Sequence, residues 1–156
     1  LSDTIYNNIT LGSGKDINSV LKDVCFDTDL KSMPEGQDTL VGNGGVRLSG
    51  GQQSRIALAR TLINKNKIIV LDDPFSAVDM KTEEKIIKNI KNNYKNSLII
   101  LISHRLTIFS EVNQIILLHG DKTAEYGTHN ELMKSSELYR TIYNLQCTNG
   151  GDNDER

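Results

Sequence analysis

Cysteine is scarce in this 156-residue chain, and the two present, Cys25 and Cys147, lie far apart with neither a CxxC nor a His-paired spacing. A disulfide-stapled secreted domain and a zinc module are both poor readings, and two reduced thiols are expected. His104, His119 and His129 likewise show no metal-ligand spacing. Long hydrophobic runs are missing too. The longest, Leu98 to Ile102, falls far short of the roughly 20 apolar residues that span a bilayer. An excess of one charge is also absent: 18 Lys and Arg against 20 Asp and Glu give a net charge of −2 and a pI near 5.9. The electrostatic footprint of a nucleic-acid binder is therefore not present. Nothing at the start reads as a signal or transit peptide, which places the expected location in the cytosol or on the cytosolic face of a membrane. No internal repeat is found. Leu1 stands where a Met would open a gene product, and "LSDTIYNNI" reads as the middle of an element. The chain is expected to be a piece of something longer.

The most telling absence is a phosphate loop, GxxxxGK followed by Ser or Thr. The only near match is "LGSGKD", Leu11 to Asp16. Ile9 stands where the first glycine belongs, and Asp16 takes the hydroxyl position, where its charge would repel phosphates. No strand leads into it. The stretch is read as a surface loop before a helix.

What is present is an ordinary globular composition, 37% hydrophobic and 24% charged, with enough chain to bury a core. Residues 2–10 read as a short helical piece with Ile5 and Ile9 one turn apart. Asp16 is placed to cap a second helix whose apolar face is Ile17, Val20, Leu21 and Val24. "MPEGQ" breaks it, and "VGNGG" is a loop. A helix follows from about Gly50 to Asn64, with Ile56, Ala59, Leu62 and Ile63 on one face. "KIIVLDD" is a buried apolar strand, Met80 to Tyr94 a helix facing inward through Ile86, Ile87 and Ile90, and "SLIILIS" a second buried strand. A short helix near Arg105 to Ser110, the strands "QIILLH" and "TAEYG", and a last helix to about Gln146 complete the pattern, the last opened by the Thr128/Glu131 capping-box spacing. The polar end from Cys147 is expected to fray. Strands alternating with helices predict an α/β fold with a partly parallel sheet covered on both faces, and the first fifty residues a helical, loop-rich lobe set apart from that sheet.

Two stretches carry chemistry. "GGVRLSGGQQSRIALAR", Gly44 to Arg60, joins a glycine-rich loop to an amphipathic helix. Free backbone N–H groups and the positive end of the helix dipole there form an anion site, and glycine admits close approach. "KIIVLDDPFSAVD" ends a hydrophobic strand in two carboxylates, as enzymes that hold magnesium beside a nucleotide do. By itself it also describes any core strand entering an acidic turn. Pro74 ends the strand and Asp79 is placed to cap the next helix. Asp72 and Asp73, as neighbours on an extended chain, are expected to face opposite sides and do different jobs, one toward a metal and one toward substrate or water. His104 follows the next strand at the matching end, where ligands gather in open α/β sheets. A lone histidine there also serves structure.

"LSGGQ" (Leu48 to Gln52), followed by "QSRIALARTL", "VLDDPFSAVD" and "LISHR", resembles the ordered signature, Walker B, D-loop and H-loop of ATP-binding cassette proteins. The ordered set at this spacing is very specific, and the resemblance covers Leu1 to about Gln146. "DTLVGNGG" and "EYGTHNELM…LYRTIYNLQ" resemble the exporter type, in which membrane and nucleotide-binding domains share one chain. The resemblance implies an incomplete P-loop ATPase fold: a helical subdomain with the loop and signature motifs over 1–64, a Walker B and H-loop portion over 65–146, a flexible tail over 147–156, and no phosphate-loop strand. It implies ATP and Mg²⁺ as cofactors, and as partners a second nucleotide-binding domain and a transmembrane domain. Two cassettes in this family meet head to tail. Ser49, Gly50, Gly51 and Gln52 would therefore cradle the γ-phosphate held by the partner, while Asp79 would lie in the loop crossing the interface. Asp72 would support magnesium through water, Asp73 would stand at the catalytic position, and His104 would contact the γ-phosphate of this chain's own nucleotide.

Departures from the family pattern sharpen that reading. The adenine-stacking aromatic, the phosphate loop and the glutamine loop would all belong upstream of Leu1. In the family fold the phosphate-loop strand lies between "SLIILIS" and "QIILLH", so both neighbours would otherwise lack a partner and expose apolar surface. Each unpaired buried backbone group costs about 1–3 kcal/mol against about 5–15 for a whole domain. The chain alone is expected neither to fold stably nor to bind ATP. Asp73 stands where the family usually has Glu, one methylene longer, which points to a slow site and hence to one half of a heterodimer. Asn43 stands where such exporters often carry Glu. The alternatives are an inert module docking on an intact cassette and a soluble cassette acting on DNA or ribosomes. The latter would want coiled coils or basic patches, which are not seen.

Overall fold

The computed structural model describes residues 2–149, which divide into two compact units, one up to residue 102 and one from residue 103. The first unit opens with β1 (Asp3–Thr4), which runs directly into α1 (Ile5–Thr10). Thr4 caps α1 by accepting the Asn7 N–H at 3.0 Å. The expected single helical piece over 2–10 is thus shortened, because residues 3 and 4 pair antiparallel with β2 (Leu40–Val41) after α2 (Asn18–Asp23) and α3 (Asp27–Ser32). The N-cap of α2 is Ile17, not Asp16; the Asp16 carboxylate instead accepts the Asn18 N–H at 3.3 Å and its side-chain amide at 2.6 Å. The six-residue α3, acidic in its first turn at Asp27 and Asp29, did not stand out in the sequence.

The predicted long helix is α4 (Gly50–Leu62). Ile56, Leu58, Ala59 and Leu62 are buried along it, together with Ile5 and Ile9 of α1 and Val20 and Leu21 of α2. Arg60 Nε donates to the Asn8 carbonyl, tying α4 to α1. β3 (Ile68–Asp72) and β4 (Leu98–Ile102) pair in parallel, Ile68 opposite Leu98 and Asp72 opposite Ile102, with α5 (Met80–Asn93) as the crossover. Ile86, Ile87 and Ile90 of α5 are buried as the periodicity requires. The carboxylate of buried Asp23 is satisfied by the Tyr94 hydroxyl at 2.8 Å and the Asn93 amide at 2.6 Å. Burial first, and then this carboxylate, push the Tyr94 phenol upward.

The expectation of two fully buried strands is overturned. Ile69 and Leu71 of β3 point into the core, but Ile68, Val70, Leu98, Ile100 and Ile102 form one exposed apolar face. β3 is apolar from Ile68 to Leu71 and β4 throughout, so periodicity alone does not mark which face lacks a cover, although the absent phosphate-loop strand already implied exposed surface on β4. Among the described residues the strands form three two-stranded sheets.

In the second unit β5 (Ile115–Leu118) pairs antiparallel with β6 (Ala124–Gly127). Ile116, Leu118 and Tyr126 are exposed there. A 3₁₀ turn, Leu106–Glu111, takes the place of the expected short helix. Leu106, Ile115, Leu132 and Tyr139 form the core. Thr128 and Glu131 make the predicted capping box, but the helix they open divides into α6 (His129–Ser135) and α7 (Glu137–Asn149). The helix runs past Gln146 to Asn149; the rest of the tail lies outside the described residues. Both cysteines are free thiols, and no helix among the described residues is long and apolar enough to cross a membrane.

Candidate functional site

The start of α4 is built by a reciprocal cap. Ser49 is extended (φ −65°, ψ 162°) and its Oγ accepts the Gln52 N–H at 3.2 Å, while Gln52 Oε1 accepts the Ser49 N–H at 2.9 Å. Ser and Gln three apart are the sequence form of a capping box, so this cap was legible within "SGGQ" but is masked by the motif's reading as a phosphate cradle. The N–H groups of Gly50 and Gly51 lie in the first turn, where no intrahelical acceptor exists. Ser49 and Gly50 are exposed. The end of α4 is thus open to a ligand at two amides and one hydroxyl.

The glycines also have a packing reason. A Cβ on Gly50 would lie 3.2 Å from the Ala77 Cβ, and one on Gly51 would lie 2.8 Å from the Ala77 carbonyl oxygen. Ala77 sits between Asp73 and Asp79, so the start of α4 presses on the loop that links the two carboxylates. Asp79 caps α5 by accepting the Thr82 N–H at 2.9 Å, as the sequence predicts. That backbone bond first, and the Thr82 side chain second, hold its carboxyl below the usual aspartate value.

Asp72 is exposed at the end of β3, and Asp73 follows with φ 41°. The alternation expected of the two carboxylates does not apply, because the chain leaves the extended conformation at Asp73. Its N–H donates to the Ile102 carbonyl at 2.8 Å, fixing that turn against the end of β4. Aspartate tolerates this left-handed backbone better than most residues. Both carboxylates border a shallow pocket of 280 Å³ whose opposite wall is Ser54, Ala57, Leu58 and Thr61 of α4. The structure therefore brings Asp72 and Asp73 beside the flank of α4, and Gly50 and Gly51 beside the loop leading to Asp79.

His104 belongs to the second unit. Its side chain is exposed, and Gln146 of α7 holds the backbone on both sides of it. Gln146 Nε2 donates to the His104 carbonyl at 2.7 Å, and Gln146 Oε1 accepts the Leu106 N–H at 2.7 Å. Sequence reasoning missed Gln146, which is distant in the chain and carries no motif. It also missed Asp29 and Arg55, which join the signature turn by side-chain contacts. Arg55 follows Gln52 at helical spacing, but nothing in the sequence links either to Asp29.

The family model described as ABC transporter matches residues 3–76. A probable multidrug resistance ABC transporter ATP-binding/permease protein of Bacillus subtilis is 40% identical over 149 residues, covering 93% of this chain and 26% of the relative. The chain belongs to the ATP-binding cassette family. A multidrug resistance-like ATP-binding protein, MdlA of Escherichia coli, is 38% identical over 149 residues, 93% of this chain and 25% of that protein. Among solved structures, a bacterial Atm1-family ABC exporter with ATP bound superposes with a TM-score of 0.83 at 31% identity, covering 94% of this chain and 26% of that one. The chain spans about a quarter of the length of the relatives it matches. Its fold is part of the family's ATPase domain, helices plus small two-stranded sheets of which β3–β4 is parallel, with no phosphate-loop strand among the described residues.

Proposed function

We propose that this chain supplies the signature half of an ATP site in an exporter-type transporter, whose ATPase domains couple nucleotide binding and hydrolysis to export across a membrane. The observation that carries the proposal is the start of α4. It is capped by Ser49 and Gln52, pressed on Ala77 through two glycines, and left open at the Gly50 and Gly51 amides. Amides at a helix N-terminus favour an anion through both hydrogen bonding and the helix dipole. In a head-to-tail pair these groups and the Ser49 hydroxyl face the γ-phosphate of a nucleotide held by a second cassette, on the cytoplasmic side of the membrane.

The carboxylate set fits magnesium with ATP: Asp72 is exposed at a strand end beside an open pocket, with hard oxygen donors suited to that ion. Asp72 would hold it through water. Bound magnesium would neutralise charge on the transferring phosphoryl group. Asp73 orients the attacking water, and His104, steadied by Gln146, contacts the γ-phosphate of this chain's own nucleotide. Asp73 reaches one methylene less than the glutamate usual in the family, and a misplacement of about 1 Å can lower a rate roughly 100-fold. The chain's own site is then slow, and its intact signature serves the faster site of a glutamate-bearing partner in a heterodimer.

The experiment is ATP turnover by the full-length protein with its partner cassette. Asp73→Glu is expected to raise turnover at this chain's site, and removing the partner's glutamate to abolish most of the total. Unchanged turnover in both variants would overturn the heterodimer assignment. Ser49→Ala with undiminished turnover would overturn the signature role.

A second reading has its own observation. The exposed face of Ile68, Val70, Leu98, Ile100 and Ile102 suits a chain that acts only when docked on other cassette elements. On that reading the 156 residues alone are an inert module. Adding them to an intact cassette would leave its turnover unchanged.

A further inference from the structure

Both ends of the Gln52 side-chain amide bond within the chain, which sets its orientation at the signature turn. Its oxygen accepts the Ser49 N–H at 2.9 Å and its nitrogen donates to Asp29 Oδ1 at 2.8 Å. The second oxygen of Asp29 accepts from Arg55 at 2.8 Å. Arg55 in turn donates to the Gly51 carbonyl at 3.2 Å and to the Cys25 carbonyl at 2.6 Å. Its guanidinium lies 5.4 Å from the centre of the Phe26 ring. Asp29 and Arg55 are 23% and 14% exposed at their side chains, so the pair is sheltered but not sealed.

The chemistry of the acceptor decides the orientation. A carboxylate can only accept, so it takes the NH₂ end of the Gln52 amide and turns the oxygen toward Ser49. That oxygen holds the Ser49 N–H and with it the extended backbone that starts the helix. Ser49 Oγ accepts from the Gln52 N–H, which leaves the hydroxyl hydrogen as its donor to a phosphate. Arg55 offsets the Asp29 charge, which would otherwise stand unbalanced near an anion site.

We propose that Asp29 is a positioning residue for the signature turn: through the orientation it imposes on the Gln52 amide, it sets the Ser49 donor. Gln52 then acts by holding the turn. The proposal rests on the signature role of Ser49 set out above, and its test separates the two.

The test is ATP turnover and the thermal midpoint of the full-length protein with its partner cassette in lipid vesicles, compared across single and double variants. Gln52→Glu sets two carboxylates against each other and is expected to lower turnover by about tenfold or more. Combining it with Asp29→Asn supplies an amide donor to the new carboxylate, which still accepts the Ser49 N–H. The double variant is expected to recover to within about threefold of Asp29→Asn alone. If Asp29→Asn does not accumulate as folded protein, Asp29→Ser, whose hydroxyl can also donate, replaces it in the cycle. Recovery of turnover at unchanged thermal midpoint supports positioning through Gln52; a merely structural Asp29 would move the midpoint and give no recovery. A double variant no better than Gln52→Glu, while Ser49→Ala remains strongly impaired, overturns the Asp29 proposal alone. Full turnover with Ser49→Ala overturns the signature reading beneath it.

Discussion

The start of α4 and the outer face of β3–β4 belong to one compact unit, yet the first is finished and the second is not. At the start of α4, Ser49, Gln52, Asp29 and Arg55 are joined in one chain of hydrogen bonds, and the Ser49 hydroxyl and the Gly50 amide stay at the surface. On β3–β4, Ile68 is 61% exposed, Val70 55% and Leu98 59%. Each such side chain gains about 1.5–3 kcal/mol when fully buried, and a contiguous apolar face of this kind marks a surface meant for contact. A polar device can be satisfied locally, by a few residues within one turn or one helix pair. A parallel strand pair cannot, since it needs layers on both faces and partners along both edges.

The strongest test of that contrast is the 156-residue chain by itself. The bare face predicts that it shows no cooperative thermal transition, and the missing phosphate loop predicts no micromolar ATP binding. A sharp calorimetric transition with tight binding would dissolve the distinction between the two regions.

A finer test compares two isoleucines. Ile86 on α5 is 0% exposed, whereas Ile100 on β4 is 44% exposed. Ile86→Ala is expected to cost about 2–5 kcal/mol in the full-length protein, as buried truncations do. Ile100→Ala is expected to cost a similar amount there, because the family's phosphate-loop strand and its neighbours would cover the face. Urea denaturation at unchanged m-value reads both. If Ile100→Ala stays within about 0.5 kcal/mol, as surface changes do, the face is bare in the whole protein as well.

A smaller effect probes the finished region. Gly51→Ala places a methyl 2.8 Å from the Ala77 carbonyl oxygen, a backbone atom that cannot swing aside. Overpacking of this kind costs about 1–3 kcal/mol. The loop between Asp73 and Asp79 should shift with it, visible as a fall in amide hydrogen-exchange protection around Val78, whose N–H bonds the Phe75 carbonyl. Unchanged protection and stability would mean that the glycine serves the ligand alone.

These differences also explain what could be read from sequence. Helix α5 and its Asp79 cap, the α4 periodicity and the Thr128/Glu131 box were legible because each is a local pattern of spacing. The pairing of β1 with β2 was not, since two-residue strands carry no period and depend on a partner far along the chain. Nor was the turn at Asp73, where a left-handed residue ends the alternation on which the two-carboxylate reading relied. Asp29, Arg55 and Gln146 were missed for one reason. Each acts by holding another residue's amide or backbone across the fold, and such contacts leave no trace in spacing.

Asp79 offers the smallest and most specific test, because its effect has a sign in pH. Its carboxyl lies below the ordinary 3.8, held there by the Thr82 N–H and side chain. A folded value below the unfolded one means the unfolded chain takes up a proton first as pH falls. The charged cap's contribution is therefore fully present above about 3.8 and is lost as pH drops through the folded value. Asp79→Ala should cost about 0.5–2 kcal/mol near neutral pH, typical of a lost N-cap. The same substitution should cost less below pH 3.8, so the curves for the two proteins converge on acidification. Asp79→Asn, which keeps an acceptor without the charge, should remove most of that pH dependence while sparing much of the cap. Parallel curves for Asp79 and Ala from pH 7 to 3 would show that the neutral acid caps α5 as well as the carboxylate, and that the interaction with Thr82 is geometric and not ionic.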